Sequence, residues 1–336
     1  MTQYYVDSAI GDDGNDGLTP ATPWLTLQHV VDTADYSSPW VCEVAGTFSL
    51  ASPLDATTPN ANNHTAFSFS SATSAVINLN HSNGIIGDWA YRRLCLRGLT
   101  INCVDKLATQ GCEVVGCAID FQKTTPYSNV TDGFHFFDTT ITGNSTAYLQ
   151  ITRDTIFHRC LFDGVRYFYL PSGNATCFFD RCRFRNCVPT NTELFAVVDT
   201  TSYLRLRLVN CTFTGCGKTG GVLFSHTSAQ TSLINTVFAD TAGSISDSPH
   251  RELSVYRYNS TLGAATSISA IDNSELSESP YADPDGGDWT PSSELAAISD
   301  SAGFTPGAVQ ASGAGGGDPL PHNPFRASTV FAGGVA

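Results

Sequence analysis

Lysine is almost absent from this chain of 336 residues: only Lys106, Lys123 and Lys218 occur, against a net charge of -14. Binding to a phosphate backbone draws its affinity from clustered Lys and Arg that release counterions, so nucleic acid is excluded as an expected partner. Methionine occurs once, while Gly, Ser, Thr, Asn and Asp are abundant. That balance suits short strands joined by tight turns and argues against long helices. No apolar run reaches the length of a spanning helix, and the N-terminus lacks the basic and apolar stretches of a secretory signal. Neither membrane insertion nor export is therefore expected. No CxxC pair occurs among the eleven cysteines. An odd count in a long chain is not the signature of a disulfide framework, and it points to packing instead. Seven Asn-x-Ser/Thr sequons, starting at Asn63, Asn80, Asn129, Asn144, Asn174, Asn210 and Asn259, read as chance in so Asn- and Thr-rich a sequence.

What is present is a repeat. CEVVGCAID from Cys112, FHFFDTTIT from Phe134, TIFHRCLFD from Thr155, CFFDRCRFR from Cys177, LRLVNCTFT from Leu206 and TSLINTVFA from Thr231 align without gaps. Each carries an apolar residue, two variable ones, Cys or Thr, one variable residue, then Phe or Ile. The anchors are Cys117, Thr139, Cys160, Cys182, Cys211 and Thr236, spaced by 22, 21, 22, 29 and 25 residues. Leu99 is the expected anchor of an earlier coil and Ser260 of a later one. A period in this range, with alternation of period two on either side of the anchor, is one coil of a parallel β-helix. The alternation points Val114, Phe136, Phe157, Phe179, Leu208 and Leu233 inward before the bend. It does the same for Ile119, Ile141, Phe162, Phe184, Phe213 and Phe238 after it. The fold class is all-β: a single right-handed parallel β-helix solenoid with an N-terminal capping helix and an extended C-terminal arm. The cysteine column reads as small buried hydrophobes rather than as a metal site, because a ladder lacks tetrahedral convergence. No metal and no cofactor are expected.

Residues 4–48, with YYVDSAIGDDGNDGLTPATPWLTLQHVVDTA and VCEVAGTF, resemble the opening of the pectate-lyase-like superfamily of right-handed β-helices. Apolar residues at helical spacing within Leu25–Thr33 follow Thr and Pro start signals, as a capping helix requires. The Asp12, Asp13, Asn15 and Asp16 cluster reads as a glycine-assisted turn rather than a calcium loop. SPYADPDGGDWTPSSELAAISDSAGFTPGAVQ (279–310) resembles the closing segment of β-helix proteins encoded by bacteriophages and environmental bacteria. The organisation is thus a cap at 1–45, coils at 46–278, a closing segment at 279–310, and a Gly-rich linker with an extended arm at 311–336.

The resemblance implies polysaccharide chemistry, so outward carboxylates matter. Three residues past each anchor stand Asp120, Thr142, Asp163, Arg185, Thr214 and Ala239. Asp120 and Asp163, about 10 Å apart across two coils, are the candidate catalytic carboxylates, and an Asp163–Arg185 ion pair is the simpler reading. On the strand before the bend, Val115, Phe137, His158, Asp180, Val209 and Ile234 face outward, with Ile156 and Phe178 beside them. This apolar surface implies cover by another subunit, the arm or an assembly protein, with Val115, Phe137, Ile156, Phe178, Val209 and Ile234 as the interface. Tyr167 and Tyr169 should face outward with Tyr148 one coil earlier, as a glycan-binding platform. The longest coil carries an extra loop, PTNTELF (189–195), a natural place for specificity.

The first functional expectation is a phage-like virion structural or adhesion protein, assembled in the host cytoplasm. It would contact other virion proteins, form a homo-oligomer such as a trimer, and bind host surface polysaccharide. The alternative is a polysaccharide-degrading enzyme of tailspike hydrolase or lyase type. A bacterial surface adhesin is a third reading, disfavoured by the missing signal.

Overall fold

The computed structural model describes residues 1–298 and 307, except 56–65, 82–83, 87–92, 105–106, 108–111, 123–127, 131–133, 144–147, 152–153, 171–175, 190–192, 198–204, 227–229, 247–249, 259–260, 264–266, 272–273 and 287. The arm at 311–336 lies outside the described residues.

The chain winds as a parallel β-helix with three walls. A sheet of 21 strands, bent lengthwise, supplies the first and second walls, and a sheet of seven supplies the third. One turn runs through Thr155–His158 on the first wall, Leu161–Asp163 on the second and Tyr167–Leu170 on the third. Each strand pairs in parallel with the next coil in the register the repeat predicts: Phe136 with Phe157, Phe157 with Phe179, Phe179 with Leu208, and Leu208 with Leu233. All twelve inward positions named from the alternation are buried. Their rings stack along the axis: Phe136, Phe157 and Phe179 at centroid steps of 4.8 Å, and Phe162, Phe184, Phe213 and Phe238 at 4.9, 4.3 and 5.0 Å. A third stack, Phe168–Phe195–Phe224, follows on the third wall. Stacked rings at such spacings add roughly 0.5–1.5 kcal/mol per pair beyond burial.

The bend between the first two walls explains why Cys and Thr interchange. The residue before each anchor is left-handed: Gly98, Gly116, Asp138, Arg159, Arg181, Asn210 and Asn235 have φ between 49° and 61°. The turn carries the anchor inward beside the carbonyl two residues back. Thr139 Oγ1 donates to the Phe137 carbonyl at 2.9 Å, and Cys182 Sγ to that of Asp180 at 3.5 Å and to that of Phe157, one coil earlier, at 3.4 Å. A small side chain with one donor is what the site accepts, and thiol and hydroxyl both qualify. A second bend, before the third wall, repeats the device at Gly164, Asn186, Gly215 and Asp240. There Cys187, Cys216 and Thr241 donate to the carbonyls of Arg185, Thr214 and Ala239. Burial pushes the Cys182 and Cys187 thiols well above their ordinary range, so both stay protonated.

Leu99 is a buried anchor as expected. The coil after Thr236 is anchored differently from the expectation: Val255, not Ser260, stands opposite Thr236, and Ser260 lies outside the described residues. Its strand, His250–Tyr258, runs through the column as one element.

At the N-terminus, Thr2–Asp7 pairs with Trp40–Ala45, and the helix Leu27–Thr33 buries Leu27, Val30 and Val31. It starts two residues later than the apolar pattern suggests, because Thr26 is its cap and accepts from His29 N–H. The acidic cluster before it forms turns. Asp13 accepts from Leu25 N–H, Thr26 N–H and the Thr26 hydroxyl at 2.8–2.9 Å, and Asp16 from Leu18 N–H and the Thr22 hydroxyl.

The closing segment lies along the side of the solenoid. Its antiparallel pair, Tyr281–Asp283 with Asp288–Pro291, and the short helix Ser293–Ala297 pack on the outward face of the second wall. Tyr281, Trp289 and Leu295 bury Val237 and Tyr256 there, with Leu161 at the margin. Tyr281 Oη lies 2.6 Å from Thr212 Oγ1, and the Arg183 guanidinium stacks on Trp289 at 5.2 Å.

Candidate functional site

On the second wall the outward column runs in register through Asn102, Asp120, Thr142, Asp163, Arg185, Thr214 and Ala239. Thr142 stands between Asp120 and Asp163 and donates to Asp120 Oδ1 at 2.9 Å, while Gln122 donates to its Oδ2 at 3.0 Å. The Asp163 carboxylate pairs with Arg185, whose other amino group donates to the carbonyls of Pro284 and Asp285. Asp163 therefore sits in a contact that ties the closing segment to the coils.

The tyrosines lie on the third wall. Tyr148 pairs with Tyr167 across adjacent coils, as expected, and Tyr167 stacks with Tyr169 at 6.2 Å. Tyr167 is only 8% exposed, and its hydroxyl reaches Glu193 at 3.4 Å. Its ring is thus packed rather than displayed, leaving half-buried Tyr169 as the more accessible of the two. The side chain of Tyr148 lies outside the described residues.

The first wall holds a different arrangement. Its outward column is Val115, Phe137, His158, Asp180, Val209 and Ile234, and beside it runs Glu113, His135, Ile156, Phe178, Arg207 and Ser232. Val115, Phe137, Ile156, Val209 and Ile234 are half-buried and Phe178 is 9% exposed. Within this apolar surface His158 Nδ1 lies 2.8 Å from Asp180 Oδ2, on the next coil. The His158 side chain is 4% exposed and that of Asp180 18%. The carboxylate only accepts, so Nδ1 donates, and in the tautomer that carries this single ring proton the lone pair is on Nε2. Nε2 is buried and has no hydrogen-bond partner. The Phe137 ring meets His158 edge-on at 6.1 Å, and the exposed Arg207 guanidinium lies over Phe178 at 6.0 Å. At the adjoining bend Arg159 grips Asp138 through two bonds, of 2.6 and 2.7 Å. The hydrogen bond from Arg159 holds the Asp138 carboxyl below its usual range, more than offsetting burial.

The repeat placed His158 and Asp180 in one column, but composition gave no reason to single them out. Their separation of 22 residues is one coil period, which was the available signal. Among the described residues no group of three or more His, Cys, Asp or Glu is arranged to hold a metal ion, and no helix is long and apolar enough to cross a membrane.

No protein-family model and no curated protein matches the chain. Among solved structures it is similar to a rhamnogalacturonan lyase, with 13% identity, 83% of each chain covered and a TM-score of 0.44. It is also similar to the GH136 lacto-N-biosidase of Eubacterium ramulus, with 9% identity, 82% of this chain and 68% of the other covered, and a TM-score of 0.36. Neither match assigns a role to a residue of this chain.

Proposed function

We propose that the chain binds an extended, uncharged polysaccharide along the outward face of the first wall, across successive coils. The observation that carries this reading is the composition of that face. Phe137 stands in register with His158 and Asp180, and in the adjacent column Ile156 and Phe178 stand in register with Arg207. A sugar presents apolar C–H faces rimmed by hydroxyls, and a surface interleaving rings with planar hydrogen-bonding groups complements both. The net charge of -14 disfavours a polyanion.

The test is retention of the protein in gels containing dextran, galactan, xylan or polygalacturonate. Retention by a neutral polymer, weakened at least tenfold in Phe137→Ala/Phe178→Ala, is the expected result. Retention unaffected by the double substitution overturns the placement. Release of reducing ends from the bound polymer would extend the reading from adhesion to a depolymerising enzyme. Loss of that release in Asp163→Asn would move the chemistry to the second wall.

The assembly side of the proposal is attachment to a phage-like particle through 311–336, with the first-wall face left free for the glycan. Light scattering on the chain with and without those residues tests it. A trimer independent of the arm makes the apolar face a subunit interface, and a monomer leaves that face for a glycan.

A further inference from the structure

The pairing of His158 with Asp180 deepens the polysaccharide reading and rests on it. A buried acceptor left without a partner is costly, and native interiors rarely leave one unmet. Here the orphaned atom belongs to a ring whose tautomer is set by its other nitrogen, through a 2.8 Å bond to a carboxylate on the next coil. No ring in the inward stacks has such a group. A histidine that served only to fill space on this face would need neither the carboxylate nor a free lone pair, since the column's other members here are Phe137 and Val209.

We propose that His158 Nε2 is the acceptor for a hydroxyl of the bound polysaccharide, and that Asp180 is a positioning residue that fixes the accepting tautomer. In the unliganded chain Nε2 is closed off from solvent. Access for the hydroxyl requires side chains of this face to move, and Phe137, 6.1 Å away by centroid, is the neighbouring ring. The sugar then donates its O–H proton into a hydrogen bond with no bond broken, and its C–H face lies on Phe137 and Phe178. The ligand class is therefore a neutral glycan with a free hydroxyl.

The test uses the full chain labelled with ¹⁵N-histidine, the neutral polymers named above, and the variants His158→Gln and Asp180→Asn. In the free protein, NMR should show Nδ1 protonated and Nε2 bare. Adding the retained polymer should shift the Nε2 resonance of His158 in the direction of an accepted hydrogen bond. Binding should weaken about tenfold in His158→Gln, equivalent to about 1.4 kcal/mol. Asp180→Asn should weaken binding with a mixed tautomer visible at His158, a readout that a purely structural role for Asp180 would not produce. If Phe137→Ala/Phe178→Ala abolishes retention but His158→Gln does not change it, the acceptor role is wrong and the sheet reading stands. If no polymer is retained and the Nε2 resonance does not move, both are overturned.

Discussion

The outward faces of the first and second walls belong to the same coils, yet they end up in different environments. Both carry apolar residues where a solvated sheet would be polar. On the second wall, Val237 and Thr212 are fully buried under Tyr281 and Trp289, residues from the closing segment. On the first wall, Phe137, Ile156 and Val209 remain half-buried, and a His–Asp pair sits among them. Apolar residues on a sheet therefore say that a face wants cover but not what covers it. Among the described residues one wall is covered by its own chain, and the other is not.

The contrast is broken most severely by removing the cover. Trp289→Ala or Tyr281→Ala should cost about 3–5 kcal/mol, the usual range for truncating a buried aromatic, measured by urea unfolding. Phe137→Ala, on the less covered face, should cost clearly less than either. Equal costs would mean that both faces are packed alike.

The bend that separates the two walls gives the next largest effect. Cys182→Ala removes a thiol that donates to carbonyls of its own coil and of the preceding one, and should cost about 1–3 kcal/mol. Cys182→Thr, which restores a small donor as Thr139 and Thr236 do two coils away on either side, should recover much of that. If threonine is no better than alanine, the ladder is held by volume alone.

The two arginine pairs sharpen the comparison further. Arg185 is 19% exposed and joins Asp163 to the closing segment, so Arg185→Ala should lower stability by about 1–2 kcal/mol. Arg159, beside the first wall, is 35% exposed with its partner Asp138 at 45%, and Arg159→Ala should cost under about 1 kcal/mol. Thermal melts of both variants distinguish them.

The smallest effect is a pH dependence. Arg159 depresses the Asp138 carboxyl in the folded chain. Its contribution is therefore fully present above the unfolded aspartate value of about 3.9 and is lost as pH falls through the lower folded value. Asp138→Asn should lower stability slightly at neutral pH, leave it unchanged below the folded value, and so flatten the acid limb of the stability curve. A steeper acid limb in the variant would contradict the pairing.

Much of the architecture was legible because a solenoid repeats its environment. Val114 to Leu233 and Ile119 to Phe238 could be assigned inward from alternation alone, since each coil meets the same neighbour above and below. The bend chemistry was also written in the sequence, as the dipeptides Gly116–Cys117, Asp138–Thr139, Asn210–Cys211 and Asn235–Thr236. Gly, Asn and Asp tolerate the left-handed turn best. Arg159 and Arg181 obscured the pattern, because arginine seldom takes that conformation. The Val255 anchor was missed for the opposite reason: its strand passes the column with no turn residue to mark it. In the candidate site, the outward placement of His158 and Asp180 was readable, but their hydrogen bond and the orphaned Nε2 were not. Neither follows from a residue's column, only from its rotamer and neighbours.

By itself, then, the sequence determined the coil, its register and its core, because those depend on local alternation and on a period repeated at every step. Tertiary structure decided which wall the closing segment covers. That choice rests on where a segment up to 100 residues further along the chain, from Arg185 to Asp285, comes to lie, and no periodic signal encodes a contact made only once.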